Sequence, residues 1–403
     1  MITRPTYLDK IKPFINQHMI KILTGIRRGG KSTVLEMLRA YLVETGVPAE
    51  KIIHINFENY SYINVRTQTE FMALIDGILA GGGRHYLLFD EIQNIENWEI
   101  VINGLLAEKD VDIYLTGSNS RLLSSELSTF LTGRYVNIVV QPLSFQEFLD
   151  FAKIRGRLYS TTREAFDDYL GRGGFPLANV ADYTLEQSDT IVNDIYNSIL
   201  FYDLVARKNI RNTDLLSRVV KYIFDNIGNE FSGKSIIDYL KSEQRVLKPE
   251  TVYNYLDWLE EVYVISRVPR YDIRGKALLK ANEKIFLGDI GLLYAVNGRN
   301  VSRLPGILEN VVYNELISHG YTVYVGKNSE REVDFIAEKS GDRLYLQVAM
   351  NLSSVDTIER EFRAFEGIAD NYPKYVLTLD EIWTENRAGI KQKFLPDFLL
   401  EEL

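Results

Sequence analysis

Residues 20–140 predict an α/β fold with a parallel sheet covered on both faces. Short apolar, β-branched runs recur at Ile20–Thr24, Ile52–Phe57, Tyr86–Phe89, Val111–Thr116 and Tyr135–Val140, with helical spacing between them. Continuous apolar runs, rather than alternating ones, are what strands buried on both sides look like. A glycine loop, GIRRGGKS, leads the first strand straight into a helix. Alternation of this kind builds a doubly wound domain. At 403 residues the chain exceeds what one core supports, so several domains are expected.

Residues before Ile20 read as an amphipathic lead-in helix punctuated by Pro5 and Pro13. In the loop, Gly25, Gly30, Lys31 and Ser32 fill the fixed positions of G-x-x-x-x-G-K-[ST]. Glycines let backbone N–H groups close around phosphate oxygens, and the new helix turns its positive end to the same charge. Lys31 is spaced to reach the β- and γ-phosphates, and the Ser32 hydroxyl to ligate Mg²⁺. Arg27 and Arg28 would brace phosphate or a neighbouring carboxylate. Arg28, Gly29 and Thr33 complete the candidate nucleotide-binding set. ATP and Mg²⁺ are the ligands this pattern implies.

The third run, HYLLFDEIQN, ends in Asp90-Glu91, about 60 residues beyond the loop. There the first carboxylate would hold the Mg²⁺ water shell as metal ligand, and the second would orient and deprotonate the attacking water. The fourth run, VDIYLTGSNS, stops in a polar cluster of Thr116, Ser118, Asn119 and Ser120. A strand lying between the loop strand and the acidic strand would place Asn119 or Ser118 at the γ-phosphate or the water. Arg121 and Arg134 are candidate arginine fingers, for the chain's own site or a neighbouring subunit's. The four histidines, His18, His54, His85 and His319, lack ligand spacing and read as structural.

Taken together, GIRRGGKS, LLFDEIQN, LTGSNS, FLTGRY, PLSFQEFL and GGFP resemble a widespread set of bacterial and archaeal AAA-type ATPases that carry a C-terminal domain of unknown function. The resemblance runs from near the N-terminus to about Asp380. It implies an ATP-binding AAA+-like core of the additional-strand type, then a helical segment, a winged-helix unit and a nuclease-like fold. The corresponding divisions are an ATPase core at 1–145, a helical lid at 146–208, a winged-helix domain at 209–300 and a restriction-endonuclease-like α/β domain at 301–403.

In the middle of the chain, helical spacing over 146–208 breaks at GRGGFP, a turn with a rigid exit. Helices are expected from Leu215, from the cap at Ser232, and from Pro249, followed by a hairpin from Val264. Three helices and a two-stranded wing make a winged helix-turn-helix. Its would-be recognition helix has no Lys or Arg between Glu250 and Val264 and carries Asp257, Glu260 and Glu261, the wrong sign for phosphates. Contact with nucleic acid would instead use the wing, through Arg267, Arg270, Arg274, Lys276 and Lys280. Docking of a protein partner, or self-association, is the other use of such a unit.

The order of helix and strands after Pro305 resembles the core of restriction-endonuclease-like folds, in which a helix acid, a strand Asp and a Glu-x-Lys hold Mg²⁺ and activate water. Glu309 and Asp334 fall at the first two positions, while Gln347 and Ala349 stand where Glu and Lys belong. A fold without cleavage activity is expected, with Asp334 capping or pairing with Arg331 or Arg343.

Composition sets the remaining bounds. Without cysteine there are no disulfides or thiolate sites. A net charge of −9 argues against a surface that is basic throughout, although residues 206–300 carry 16 Lys/Arg against 12 Asp/Glu. The opening MITRPTYLDKIKPF lacks the apolar core of a signal peptide, and no run suits a membrane span, so a cytoplasmic protein is expected. The reading that results is an ATP-binding and ATP-hydrolysing, Mg²⁺-dependent switch or motor acting on a protein or nucleic acid. Its rivals are an ATP-gated nuclease using Glu309 and Asp334, and a DNA-binding regulator with an ATPase switch.

Overall fold

The computed structural model describes residues 2–119, 133–242, 248–299, 304–381 and 386–401, without the side chains of residues 280–282. It divides into two compact units, one ending at Gln141 and one beginning at Pro142. Among the described residues no helix is long and apolar enough to cross a membrane.

In the first unit, β1 (Ile20–Thr24), β2 (Ile52–Asn56), β3 (His85–Asp90), β4 (Val111–Thr116) and β5 (Tyr135–Val139) form one parallel sheet in the order β2-β3-β4-β1-β5. β1, β3 and β4 are buried at every residue, which explains why their sequences are largely apolar between the polar strand ends, Lys21 and Asp112 excepted. Successive side chains leave a strand on opposite faces. Ile22, Leu87, Phe89, Ile113 and Leu115 therefore enter one core with Phe57 and Phe71. Leu23, Leu88 and Tyr114 enter the other with Val34, Leu35 and Leu38 of the helix Lys31–Glu44. Phe57, Phe71 and Phe89 cluster with ring centroids 5.4 to 5.8 Å apart.

A buried ion pair closes the end of this sheet where β1 and β4 begin. Lys21 and Asp112 are both fully buried and bonded to one another. Lys21 Nζ also donates to the Gln17 and Met19 carbonyls at 3.0 Å. Asp112 accepts from the Asn16 N–H and the Tyr114 hydroxyl at 2.8 Å. Replacing Asp112→Ala leaves an uncompensated ammonium in the core and should cost ~3–5 kcal/mol in urea unfolding. The double change Lys21→Met with Asp112→Leu should recover most of that loss.

The second unit opens with helices Phe145–Ile154, Thr162–Arg172 and Leu185–Ser198, the last running on into a π-helical stretch at Ile199–Ala206. Helices Thr213–Asp225, Gly233–Ser242 and Pro249–Glu261 follow. The remaining strands are β6 (Glu230–Phe231), β7 (Ile265–Asp272), β8 (Ala277–Leu287), β9 (Thr322–Asn328), β10 (Arg331–Lys339), β11 (Asp342–Val348), β12 (Lys374–Thr378) and β13 (Ile390–Phe394). They form one mixed sheet, β13-β12-β11-β10-β9-β7-β8-β6. The expected hairpin is present as β7 and β8, but it is not a free wing. β7 also pairs in parallel with β9, so strands from both sides of residue 300 share one sheet. Pro269, which has no N–H to give, falls at the irregularity between Val268 and Arg270 in the β7–β8 ladder.

The GRGGFP turn is built around Asp289. Gly173 has φ 75°, and a Cβ there would lie 2.3 Å from Asp289 Oδ1. The buried carboxylate accepts the N–H groups of Gly174 at 2.6 Å and Gly291 at 2.7 Å. Burial nevertheless pushes Asp289 up to about 7, the two N–H groups opposing. The folded chain keeps this proton to about pH 7, whereas the unfolded chain loses it near its ordinary value of 3.8. Between those limits the native state binds more protons, so this group makes stability fall as pH rises. Urea titrations from pH 4 to 7 should therefore show a shallower decline for Asp289→Asn than for the wild type.

Candidate functional site

The loop between β1 and the helix Lys31–Glu44 depends on a close approach that only glycine permits. At Gly25, φ is 137° and a Cβ would stand 2.2 Å from the Val140 carbonyl oxygen. Gly30 ends the loop in the left-handed region, with φ 102°, and the helix begins at the next residue. Arg28 also has a left-handed backbone, φ 63°, and its side chain is exposed. Arg27 lies 3.5 Å from the Glu58 carboxylate, the carboxylate-bracing alternative for that residue. Lys31 is only 4% exposed. Its Nζ folds back to the Gly25 and Ile26 carbonyls, each at 3.0 Å, which holds the ammonium inside the loop. Ser32 is exposed and Thr33 half-buried in the first turn of the helix.

Because β4 lies between β1 and β3, the C-terminal ends of all three strands lie side by side. Asp90, 1% exposed, ends β3. Its two oxygens are held by different neighbours: Thr116 of β4 donates to one, and Asn56 of β2 to the other at 2.9 Å. The Thr116 oxygen in turn accepts the Glu91 backbone N–H at 3.0 Å. Glu91 turns away from the strand in a left-handed conformation, φ 55° and ψ 48°, a cost of roughly 1–2 kcal/mol for a residue with a Cβ. Its side chain is bonded to Gln93. Burial raises the Glu91 pKa, Lys31 opposes, and Asp90 and Glu58 raise it further. A carboxylate shifted in that direction is a better proton acceptor than an ordinary glutamate.

At the tip of β4, Ser118 and Asn119 are both buried. Ser118 Oγ has no hydrogen-bond partner among the described residues. A buried hydroxyl left open beside the acidic strand suits a water or a phosphate oxygen. Two finger candidates fare differently. Arg121, like Ser120, lies outside the described residues. Arg134 is at the wrong end of the sheet for its own loop. Its carbonyl accepts the N–H of Ile20, where β1 begins, a strand length of about 16 Å from the loop. The expectation for Arg134 narrows to a neighbouring copy. Asn56 was not among the candidates, although a polar residue ending an apolar strand is a signal of the same kind as Thr116.

The second unit gathers the residues of the rival reading, with a different outcome. Glu309 of the helix Leu304–Ser318 and Asp334 of β10 do come together, but around the ammonium of Lys284 from β8. Lys284 Nζ is 2.7 Å from Glu332, 2.9 Å from Glu309 and 3.6 Å from Asp334. Neither suggested partner of Asp334 is used: Arg331 pairs with Glu366 and Arg343 with Glu338. Gln347 accepts the Asp334 N–H at 3.2 Å. Burial works against the Lys284 charge, yet the surrounding carboxylates outweigh it and raise its pKa. Burial, with Asp334 adding, also raises Glu309. Among the described residues no group of three or more His, Asp or Glu is arranged to hold a metal ion. Lys284 and Glu309 border an open cleft of about 930 Å³ with Arg331, Arg360 and Glu361.

The basic wing is likewise partly committed. Arg267 is bonded to Glu260 and Asp257, and Arg270, 9% exposed, to Glu230 and Glu332. These two are corrected as nucleic-acid contacts, since acids of the same sheet and of the preceding helix neutralise them. Arg274 and Lys276 are exposed at the hairpin turn, and the Lys280 side chain lies outside the described residues. Changing Lys284→Met leaves the buried Asp334 and the partly buried Glu309 and Glu332 facing one another, and should cost ~3–5 kcal/mol in guanidinium unfolding. The loss should be smaller at pH 5, where raised carboxyl groups take up protons.

Fold and site together define a P-loop nucleotide-binding class: a parallel sheet, a glycine loop at the end of β1, and an Asp-Glu pair two strands away. Comparison with known proteins agrees. Residues 17–149 match the family model described as AAA domain, and residues 163–303 match a domain of unknown function, DUF8612. The chain is 37% identical over 404 residues to an uncharacterized protein of Haemophilus influenzae, covering all of this chain and 99% of that one. It is 30% identical over 359 residues to an uncharacterized protein of Methanocaldococcus jannaschii, covering 86% of this chain and 78% of that one. Among solved structures, the Walker-type ATPase of Pyrococcus abyssi is similar in fold, with a TM-score of 0.51 at 15% identity, over 73% of this chain and 96% of that one. The chain belongs to the AAA-type P-loop ATPase family, with a C-terminal domain of unknown function.

Proposed function

We propose that this protein binds ATP with Mg²⁺ at Gly25–Thr33 and hydrolyses it, as a switch or motor on a protein or nucleic-acid partner. The observation that supports this best is the meeting of three strand ends, where Thr116 ties the Asp90 carboxylate to the Glu91 backbone. The backbone N–H of Gly30, with Lys31, holds the β- and γ-phosphates, while the Gly29 N–H donates to the Ile26 carbonyl at 3.0 Å, and Arg28 lies at the loop mouth. Ser32 and Asp90 fit a Mg²⁺ position, the first exposed at the loop and the second aimed by Thr116 and Asn56. When bound, the metal neutralises charge on the β- and γ-oxygens. Glu91 orients a water and takes its proton as the water oxygen bonds to the γ-phosphorus. The bond to the β–γ bridging oxygen breaks, leaving ADP and inorganic phosphate. Asn119 or Ser118 positions that water, and Arg134 serves a neighbouring copy in an assembly.

In this reading, residues 146–208 are the lid, and the winged-helix elements of 209–300 share one sheet with the restriction-endonuclease-like elements of 301–403, whose carboxylates serve Lys284 rather than a metal. Nucleic acid would meet Arg274 and Lys276, and the setting would be cytoplasmic. Lys31→Ala should abolish ATP binding in calorimetry. Glu91→Gln should keep ATP affinity within a few-fold while lowering turnover by about 10²-fold or more, the range set by losing a general base. Turnover by Glu91→Gln at the wild-type rate would remove Glu91 from the mechanism.

A further inference from the structure

An arginine far from the loop in sequence reaches it in space. Arg4 is 1% exposed, a rare state for an arginine. Its Nη1 donates to the Gly29 carbonyl at 2.8 Å, and its Nη2 to the Gln141 carbonyl, also at 2.8 Å. Tyr7 stacks beneath the guanidinium, 4.5 Å from ring centroid to Cζ, and its hydroxyl accepts the Gln141 N–H at 2.9 Å. The segment so tied, Val140–Gln141, is the one against which the loop lies: a Cβ at Gly29 would be 3.3 Å from the Val140 oxygen, and one at Gly25 only 2.2 Å.

Two physical consequences follow from the Gly29 bond. In a trans peptide the carbonyl and the following N–H point in opposite directions, and the chain has no cis peptide among the described residues. Fixing the Gly29 carbonyl on Arg4 therefore fixes the Gly30 N–H pointing away from it. A charged donor on the carbonyl also polarises that peptide and strengthens its N–H as a donor. In a loop that binds phosphate through its amides, aim and polarity of this kind set the affinity.

We propose that Arg4 is a positioning residue for the phosphate loop, holding the Gly29–Gly30 peptide against Gln141 so that its amide faces the phosphates. This rests on the reading that Gly25–Thr33 binds ATP. The test uses the full chain as wild type, Arg4→Met, Arg4→Lys and Lys31→Ala. ATP affinity with Mg²⁺ is measured by calorimetry where each variant is folded, alongside melting temperatures with and without ATP. Arg4→Met should weaken ATP about tenfold or more, the effect of one lost charged hydrogen bond, and should shrink the rise in melting temperature that ATP produces. Arg4→Lys keeps the charge but not the fork, and should lose at least threefold while binding better than Arg4→Met. A variant that melts lower without ATP yet keeps wild-type affinity would show a merely structural arginine and overturn the proposal. Should Arg4→Met not fold, Arg4→Lys decides, a loss below threefold overturning it. Failure of the wild type to bind ATP, or binding insensitive to Lys31→Ala, would bring down the underlying reading instead.

Discussion

The hydroxyl of Thr116 sits between the Asp90 carboxylate and the Glu91 amide, bonded to both. That arrangement exists only because β4 is threaded between β1 and β3. A parallel sheet puts every strand's C-terminal end on one edge, where loops can converge. Here the glycine loop, the acidic pair and the polar tip of β4 all reach that edge. Lys21 and Asp112 hold the other end of β1 and β4 together, and the two aromatic and aliphatic cores clamp the faces between. Position at the site is thus inherited from strand order rather than from local loop conformation.

Charge is handled differently in the two units. In the first, Lys31 bonds to the Gly25 and Ile26 carbonyls within the loop, and its charge opposes the rise that burial imposes on the Glu91 pKa. Glu91 is turned off its strand into a left-handed backbone. In the second unit, Lys284 is enclosed by Glu309, Glu332 and Asp334. A buried ammonium among carboxylates satisfies its own electrostatics and leaves the acids committed to it. A buried lysine is thus held by loop carbonyls in one place and by carboxylates in the other.

Much of the first unit was legible in its residues. Apolar runs bounded by helical spacing located β1 to β5, and the glycine, lysine and acidic motifs fall at strand ends that the sheet brings side by side. The hairpin of β7 and β8 and strands at the positions of β9 to β12 were also expected, whereas β13 was not. What the pattern could not supply was lateral pairing. Nothing local to β7 announces β9 as its second neighbour, so a free wing was expected where the sheet is continuous. Arg267 and Arg270 looked available for the same reason, since their acidic partners are supplied by other elements.

By itself the sequence determined the class of the first unit and the identity of its phosphate loop, because both depend on periodicity and on residues adjacent in the chain. Tertiary structure decided which distant groups share a site. It brought Asn56 to Asp90, Lys284 into the carboxylates of Glu309 and Asp334, and Arg4 to the Gly29 carbonyl, and it carried Arg134 to the far end of the sheet. Those pairings span 25 or more residues and arise from strand order and burial. Buried charges must find partners wherever the fold places them, and short-range spacing carries no record of where that is.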